Sequence, residues 1–254
     1  MAELNQPEAA QRVASRLLEK FPGTAGVKAA VLASRGQRDD ALKLYLRAIE
    51  AGDPRVIREA AKNSLALVTR DKFDPASIAL AEEVIDAARK KDSGSADLIA
   101  MAGYLRHFQG RYDDEVKLYG EALENQPDDV SLLNNLAWTL SEGLNKPKLG
   151  LEKIDEAIKK SVLVPAQLYD TRGCILTRLG RYDDAIRDLE LAVRERPTGA
   201  TWAHLARAYH KAGRDADFQK ARGKALTALP PLTPEGLDKS DRAELGPLIF
   251  GSAK

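Results

Sequence analysis

Leu179-Gly180-Arg181-Tyr182-Asp183-Asp184-Ala185-Ile186-Arg187-Asp188-Leu189 is the stretch whose reading decides the fold, because copies of it stand at three other places. These are Arg35-Gly36-Gln37-Arg38-Asp39-Asp40-Ala41-Leu42, Gln109-Gly110-Arg111-Tyr112-Asp113-Asp114-Glu115-Val116 and the more worn Ala212-Gly213-Arg214-Asp215-Ala216-Asp217-Phe218. A glycine that closes a helix can adopt a left-handed backbone without a Cβ penalty, so each copy predicts a helix end and a tight turn. The aspartates that follow suit the unpaired N–H groups and positive dipole end of a new helix, as caps. Each copy is therefore read as the turn inside a helical hairpin.

Beyond the turn, apolar residues repeat at i, i+1, i+4, i+7 and i+8, most clearly as Ala185, Ile186, Leu189, Ala192 and Val193. The same slots hold Ala41, Leu42, Tyr45, Ala48 and Ile49, and again Glu115, Val116, Tyr119, Ala122 and Leu123. Units without the turn motif also fit: Leu80, Ala81, Val84, Ala87, Ala88; Gly150, Leu151, Ile154, Ala157, Ile158; and, loosely, Phe218, Ala225, Leu226. The fourth-slot alanine falls at 48, 87, 122, 157, 192 and 225, with spacings of 39, 35, 35, 35 and 33. A period near ~34 residues built from two short helices is the signature of a helical-hairpin solenoid.

At this point the chain resembles the tetratricopeptide repeat (TPR) family, in the manner of bacterial TPR arrays, over residues 7–228. The best match is Ala200-Thr201-Trp202-Ala203-His204-Leu205-Ala206-Arg207-Ala208-Tyr209-His210-Lys211-Ala212-Gly213, with the family's Trp, Leu, small residue, Tyr and Gly at their offsets. The family's proline follows as Pro127, Pro197 and Pro230, and as Pro22 after the first helix; Glu115, Gly150, Arg106 and Arg172 depart from the pattern. The resemblance implies an all-α, right-handed α-α superhelix of about six hairpins with terminal capping helices.

One solenoid domain over 1–254 is expected: an N-terminal half-repeat or cap at 7–20, repeats at 23–52, 54–91, 95–126, 129–161, 165–196 and 199–228, and a C-terminal cap at 233–250. The 39-residue unit opened by Asp53-Pro54 is expected to be the least regular, with Asp74 capping and Pro75 in the first turn of its second helix. Glu142-Gly143-Leu144-Asn145-Lys146-Pro147 predicts a looser loop.

Composition excludes several classes. A net charge of +1 and a pI near 7.8 give no global field for nucleic acid, and no apolar run approaches the ~20 residues of a membrane span. Cys174 is the single cysteine, so no internal disulfide forms. Met1-Ala2-Glu3-Leu4-Asn5-Gln6-Pro7 has no basic or apolar leader; a complete chain is then expected in the cytoplasm, a fragment of a longer exported protein wherever its parent goes. His107, His204 and His210 are dispersed, and the latter two lie about 120° apart around a helix, so no metal, cofactor or catalytic set is expected. Cys174, with no histidine partner visible in the sequence, reads as a small core or groove residue.

The remaining candidate is the concave face, which in the family is lined by first helices. Carried over by offset, it holds Tyr104, His107 and Phe108; Asn134, Trp138 and Ser141; Asp170, Cys174, Thr177 and Arg178; and Arg207, His210 and Lys211. From these, Tyr104, His107, Asn134, Trp138, Asp170, Thr177, Arg178, Arg207, His210 and Lys211 form the expected partner-binding groove. Amides suit a peptide backbone, aromatics bury apolar side chains, and Arg178, Arg207 and Lys211 suit carboxylates. Trp138 fits groove and inter-helix packing equally, Asn135 an inter-helix hydrogen bond, and Arg178 and Lys211 also the negative end of a helix dipole. Ala100/Tyr104 and Asn134/Trp138 do not match the basic clamp with which some TPR domains grip chaperone carboxylates. A non-enzymatic scaffold for a protein or peptide is thus the first expectation. The others are a TPR segment of an envelope, export or regulatory assembly and, remotely, an enzyme on a helical scaffold. Oligomeric state is left open.

Overall fold

Each predicted turn glycine has a positive φ: 77° at Gly36, 70° at Gly110, 76° at Gly180 and 72° at Gly213. Around Gly180, the N–H of Arg181 reaches Leu176 O at 3.0 Å and that of Gly180 reaches Thr177 O at 3.2 Å. These two reversed bonds close a helix in Schellman form, and they recur at Gly36 and Gly213. The computed structural model describes residues 25–50, 52, 54–69, 75–229, 232–233 and 239–251. The half-repeat expected at 7–20, Pro22, Asp74 as a cap, and Pro230 lie outside them.

Among the described residues there are thirteen α-helices, one π-helical turn and no strand. The chain forms two compact units, Met1–Gln109 and Gly110–Lys254.

The first unit contains α1 (Ala25–Ser34), α2 (Arg38–Glu50), α3 (Pro54–Thr69), α4 (Pro75–Lys91) and α5 (Ala96–Phe108). On α2 the five predicted slots, Ala41, Leu42, Tyr45, Ala48 and Ile49, are all buried. The 39-residue unit departs from the repeat: the second helices α2 and α4 pack directly on each other, and Ser77 Oγ donates to Asp39 Oδ1 at 2.9 Å. Its buried ridge is Ala81, Val84, Ile85 and Ala88, while Ala87, expected inside, is only half-buried. Arg106, which replaces a tyrosine, is buried and pairs with Glu82 on α4 at 2.7 Å.

The second unit contains α6 (Tyr112–Asn125), α7 (Val130–Trp138), the π-turn Thr139–Gly143, α8 (Pro147–Lys160), α9 (Ala166–Arg178), α10 (Tyr182–Glu195), α11 (Gly199–Lys211), α12 (Asp215–Thr227) and α13 (Lys239–Phe250). The first helices α7, α9 and α11 pack side by side, and the second helices α8 and α10 each pack on their own partner and on the first helix that follows. One side of this unit is therefore a continuous face of first helices. On α10 all five slots are buried. On α12 Phe218 and Ala225 are buried, but Leu226 is 39% exposed.

The aspartates do something other than cap. Asp113, Asp114, Asp183 and Asp184 lie in first turns, where the dipole favours them, yet no side chain caps α6, α10 or α12. Instead the arginine before each helix clasps the carboxylate three residues on: Arg111 to Asp114, Arg181 to Asp184 and Arg214 to Asp217, with closest approaches of 2.7, 2.6 and 2.6 Å.

The expected loose loop begins one turn early. Leu144 N–H bonds to Thr139 O at 2.9 Å and Lys146 N–H to Leu140 O at 2.7 Å, which widens the end of the first helix into the π-turn. Thr139 there donates to Glu115 Oε1 at 2.8 Å, which satisfies a buried carboxylate in a slot usually held by alanine. Arg172, where leucine was expected, forks onto Asp188 at 2.7 and 2.9 Å.

Finally, α13 docks through Leu245 and Ile249, both fully buried. Burying two such side chains stabilises its docking by about 1.5–3 kcal/mol each.

Candidate partner-binding face

In the first unit, Tyr104 is 43% exposed on α5 and packs with His107 and Phe108, at 4.8 Å edge-on to Phe108. The other expected residues belong to the second unit and divide into an aromatic-polar part and a charged part.

In the first part, the Trp138 ring lies 5.9 Å from that of His204, and Asp170 Oδ1 is 2.8 Å from His204 Nδ1. Residues from α7, α9 and α11 thus meet on one face, and Trp138 is half-buried against the core beneath it. Cys174 does have a histidine partner, contrary to expectation. His204 comes from the next repeat, 30 positions away in sequence, where no local pattern signals it. Asp170, Cys174 and His204 bring their ligand-type atoms within 4.8 Å of one another. The Arg207 guanidinium acts on the same thiol and opposes a divalent cation, and the imidazole is already bonded to Asp170. Burial pushes the Cys174 thiol up, partly countered by His204 and Arg207.

Asn134 is half-buried, and its amide donates to Asn135 Oδ1 at 3.5 Å within the same helix. The inter-helix bond expected of Asn135 is replaced by this weak local one. Thr177 is buried and donates to Gly173 O at 2.8 Å, so its hydroxyl serves its own helix. His210 is exposed with its ring 5.2 Å from Phe218.

The charged part centres on Glu142, whose side chain is 1% exposed in the π-turn. Its Oε1 accepts from Arg178 Nε at 2.7 Å, and Arg207 approaches its Oε2 at 4.0 Å. Arg207 is itself only 1% exposed. On the other side stands Glu244 of α13, 3.4 Å from Arg207 and 3.0 Å from Lys211. Burial pushes the Glu244 carboxyl up, but the Lys211 bond and the charges of Arg207, Lys211 and Arg178 outweigh it and hold the carboxyl below the ordinary glutamate range. The three expected cations therefore do converge, and around carboxylates of this chain. Glu142 and Glu244 were missed by the sequence reading; only the departure of Glu142-to-Pro147 from the turn pattern pointed to the former.

A family model described as the tetratricopeptide repeat matches residues 171–234, from within α9 to beyond α12. Residues 171–234 thus belong to the tetratricopeptide repeat family. Solved TPR structures share the fold of the chain. A tetratricopeptide repeat protein from Parabacteroides merdae superposes with a TM-score of 0.66 at 15% identity, covering 98% of this chain and 94% of that one. PilW, a type IV pilus biogenesis factor, gives 0.62 at 17% identity over 78% and 87%. YrrB, a TPR protein described as having an unusual peptide-binding site, gives 0.50 at 18% identity over 73% and 92%. No curated protein matches the sequence. The TPR fold is in general a scaffold for protein–protein interaction. Among the described residues, no helix is long and apolar enough to cross a membrane.

Proposed function

We propose that this TPR protein is a non-enzymatic interaction scaffold, and that the first-helix face of its second unit binds a helical or extended segment of a protein partner. The observation that carries this is the convergence of Arg178, Arg207 and Lys211 on a face that also carries Trp138 and Asp170. Such a face offers a half-buried indole beside clustered cations, which is the chemistry of a short acidic segment with apolar anchors. YrrB's described peptide-binding site supports the reading by likeness of fold. The likeness to PilW is also of fold alone, and no side chain on this face favours an assembly role in the envelope over a general scaffold.

The Asp170–His204–Cys174 chain has the order of an orienting acid, a base and a nucleophile, yet Cys174 is fully enclosed and its thiol is pushed up rather than activated. That favours a structural role over catalysis. The test is quantitative capture from the native source by the full chain and by its Trp138→Ala and Lys211→Glu variants. Both substitutions are expected to lower retention of the same partner at least ~10-fold with helicity by circular dichroism unchanged. Unchanged retention in both overturns the proposed face.

A further inference from the structure

The position of α13 differs from that of a helix that merely continues the stack. A next first helix would touch the last hairpin, α11 and α12. The α13 helix touches these and also the π-turn, two hairpins earlier. It therefore turns back over the first-helix face. There it places Glu244 between Arg207 and Lys211, within the field of Arg178, and buries Leu245 and Ile249 in the cluster that holds Cys174, Leu205 and Ala208. Leu248 packs partly on the same cluster, so the docked surface is a carboxylate with aliphatic residues at i+1, i+4 and i+5, one face of a helix.

Two further observations show how it is held. Glu244 brings a second carboxylate to the cations beside Glu142, and Arg207, 1% exposed, has almost no solvent to screen it. The docked carboxylate thus answers a demand built into the face. The helix itself is a poor one: Gly246 and Pro247 lie in its interior, the two worst helix formers, and Pro247 lacks the N–H that the ladder needs. Its order depends on contacts with the body, including Arg222 Nε, which donates to Ile249 O at 2.7 Å. A helix with the same face and no Gly-Pro break would fill the site better.

Resting on the reading of this face as the binding site, we infer that α13 is a tethered occupant of the groove, and that the partner presents an acidic amphipathic helix with the Glu244-Leu245-Leu248-Ile249 pattern that displaces it. Binding is then self-limited: the tether supplies the occupant at an effective concentration in the millimolar range, so a free helix competes against it.

The test uses the full-length chain and two fluorescein-labelled peptides read by polarisation. One copies residues 239–251 with Gly246→Ala and Pro247→Ala; the other adds Glu244→Lys. The protein is compared with its Leu245→Asp/Ile249→Asp variant, which frees α13, and with its Glu244→Lys variant, which loosens α13 by charge and serves if the first loses helicity beyond that helix. The repaired peptide is expected to bind either freed variant at least ~10-fold tighter than the wild-type chain, and the Glu244→Lys peptide to lose at least ~10-fold on the freed variants. Equal binding of the repaired peptide to all three proteins, or indifference to the Glu244→Lys change, overturns the tethered occupant. If the repaired peptide binds no protein while Trp138→Ala and Lys211→Glu still reduce partner capture, the inference fails and the binding face stands. If capture is also unaffected, both fail.

Discussion

Glu142, enclosed in a π-helical turn, accepts the Nε–H of Arg178 at 2.7 Å from the end of the next first helix. This pair joins two repeats and sets the charge of the face. Arg178 can turn to water when the carboxylate is removed, whereas the buried Arg207 cannot. Glu142→Gln, which keeps the shape and removes the charge, is expected to lower stability by about 1–3 kcal/mol in urea unfolding. A change under about 0.5 kcal/mol contradicts the role given to Arg207.

Two glycines give opposite expectations. A Cβ on Gly173 would stand 2.5 Å from Leu189 Cγ, in the packing of α9 on α10, whereas one on Gly120 of α6 meets nothing within 4 Å. Gly173→Ala is expected to destabilise by about 1–3 kcal/mol and Gly120→Ala to stabilise by about 0.4–1 kcal/mol. Urea midpoints of the two variants check both, and the same sign for the two contradicts the packing described.

Asp188 is 10% exposed and is held by the fork of Arg172. Arg172→Leu restores the family residue but strands this carboxylate, so it is expected to destabilise by about 3 kcal/mol or more, while the double change with Asp188→Leu recovers most of the loss. A double-mutant cycle measures the coupling. Additive losses show that the fork contributes nothing of its own.

The depressed Glu244 carboxyl makes the docking of α13 depend on pH. A carboxyl lowered on docking stabilises the docked state at pH values above its undocked value, about 4.3, and that contribution disappears as pH falls through the depressed value. Arg178, Arg207 and Lys211 face it, so protonation of Glu244 removes one of the carboxylates that offset these cations. Backbone exchange at residues 239–251, corrected for intrinsic rates, is expected to be steady from pH 7 to 5 and to rise steeply below about pH 4. No rise contradicts the pairing.

The repeat was legible because its signals are local. Gly180, the slots from Ala185 to Val193 and the spacing of the alanines each follow from one turn or one helix face. The Arg181–Asp184 clasp was equally local, yet the aspartate was read as a cap, because a carboxylate in a first turn satisfies both patterns. What stayed hidden joins different repeats: Cys174 with His204, Glu142 with Arg178, Glu244 with Lys211. No periodicity records such pairs, and a carboxylate supplied by the chain's own last helix looks in sequence like part of a terminal cap. Ala87 misled for a related reason, since the direct packing of α2 on α4 turned that helix away from the common register.

The most direct measurement places a photo-crosslinking benzoylphenylalanine at Lys211, on the first-helix face, and in a second protein at Arg194, on the exposed side of α10. Partner peptides crosslinked from each are then sequenced. Crosslinks from position 211 to an acidic, amphipathic segment, with few or none from 194, are the expected result. A partner that crosslinks only from 194, or equally from both, contradicts the binding face.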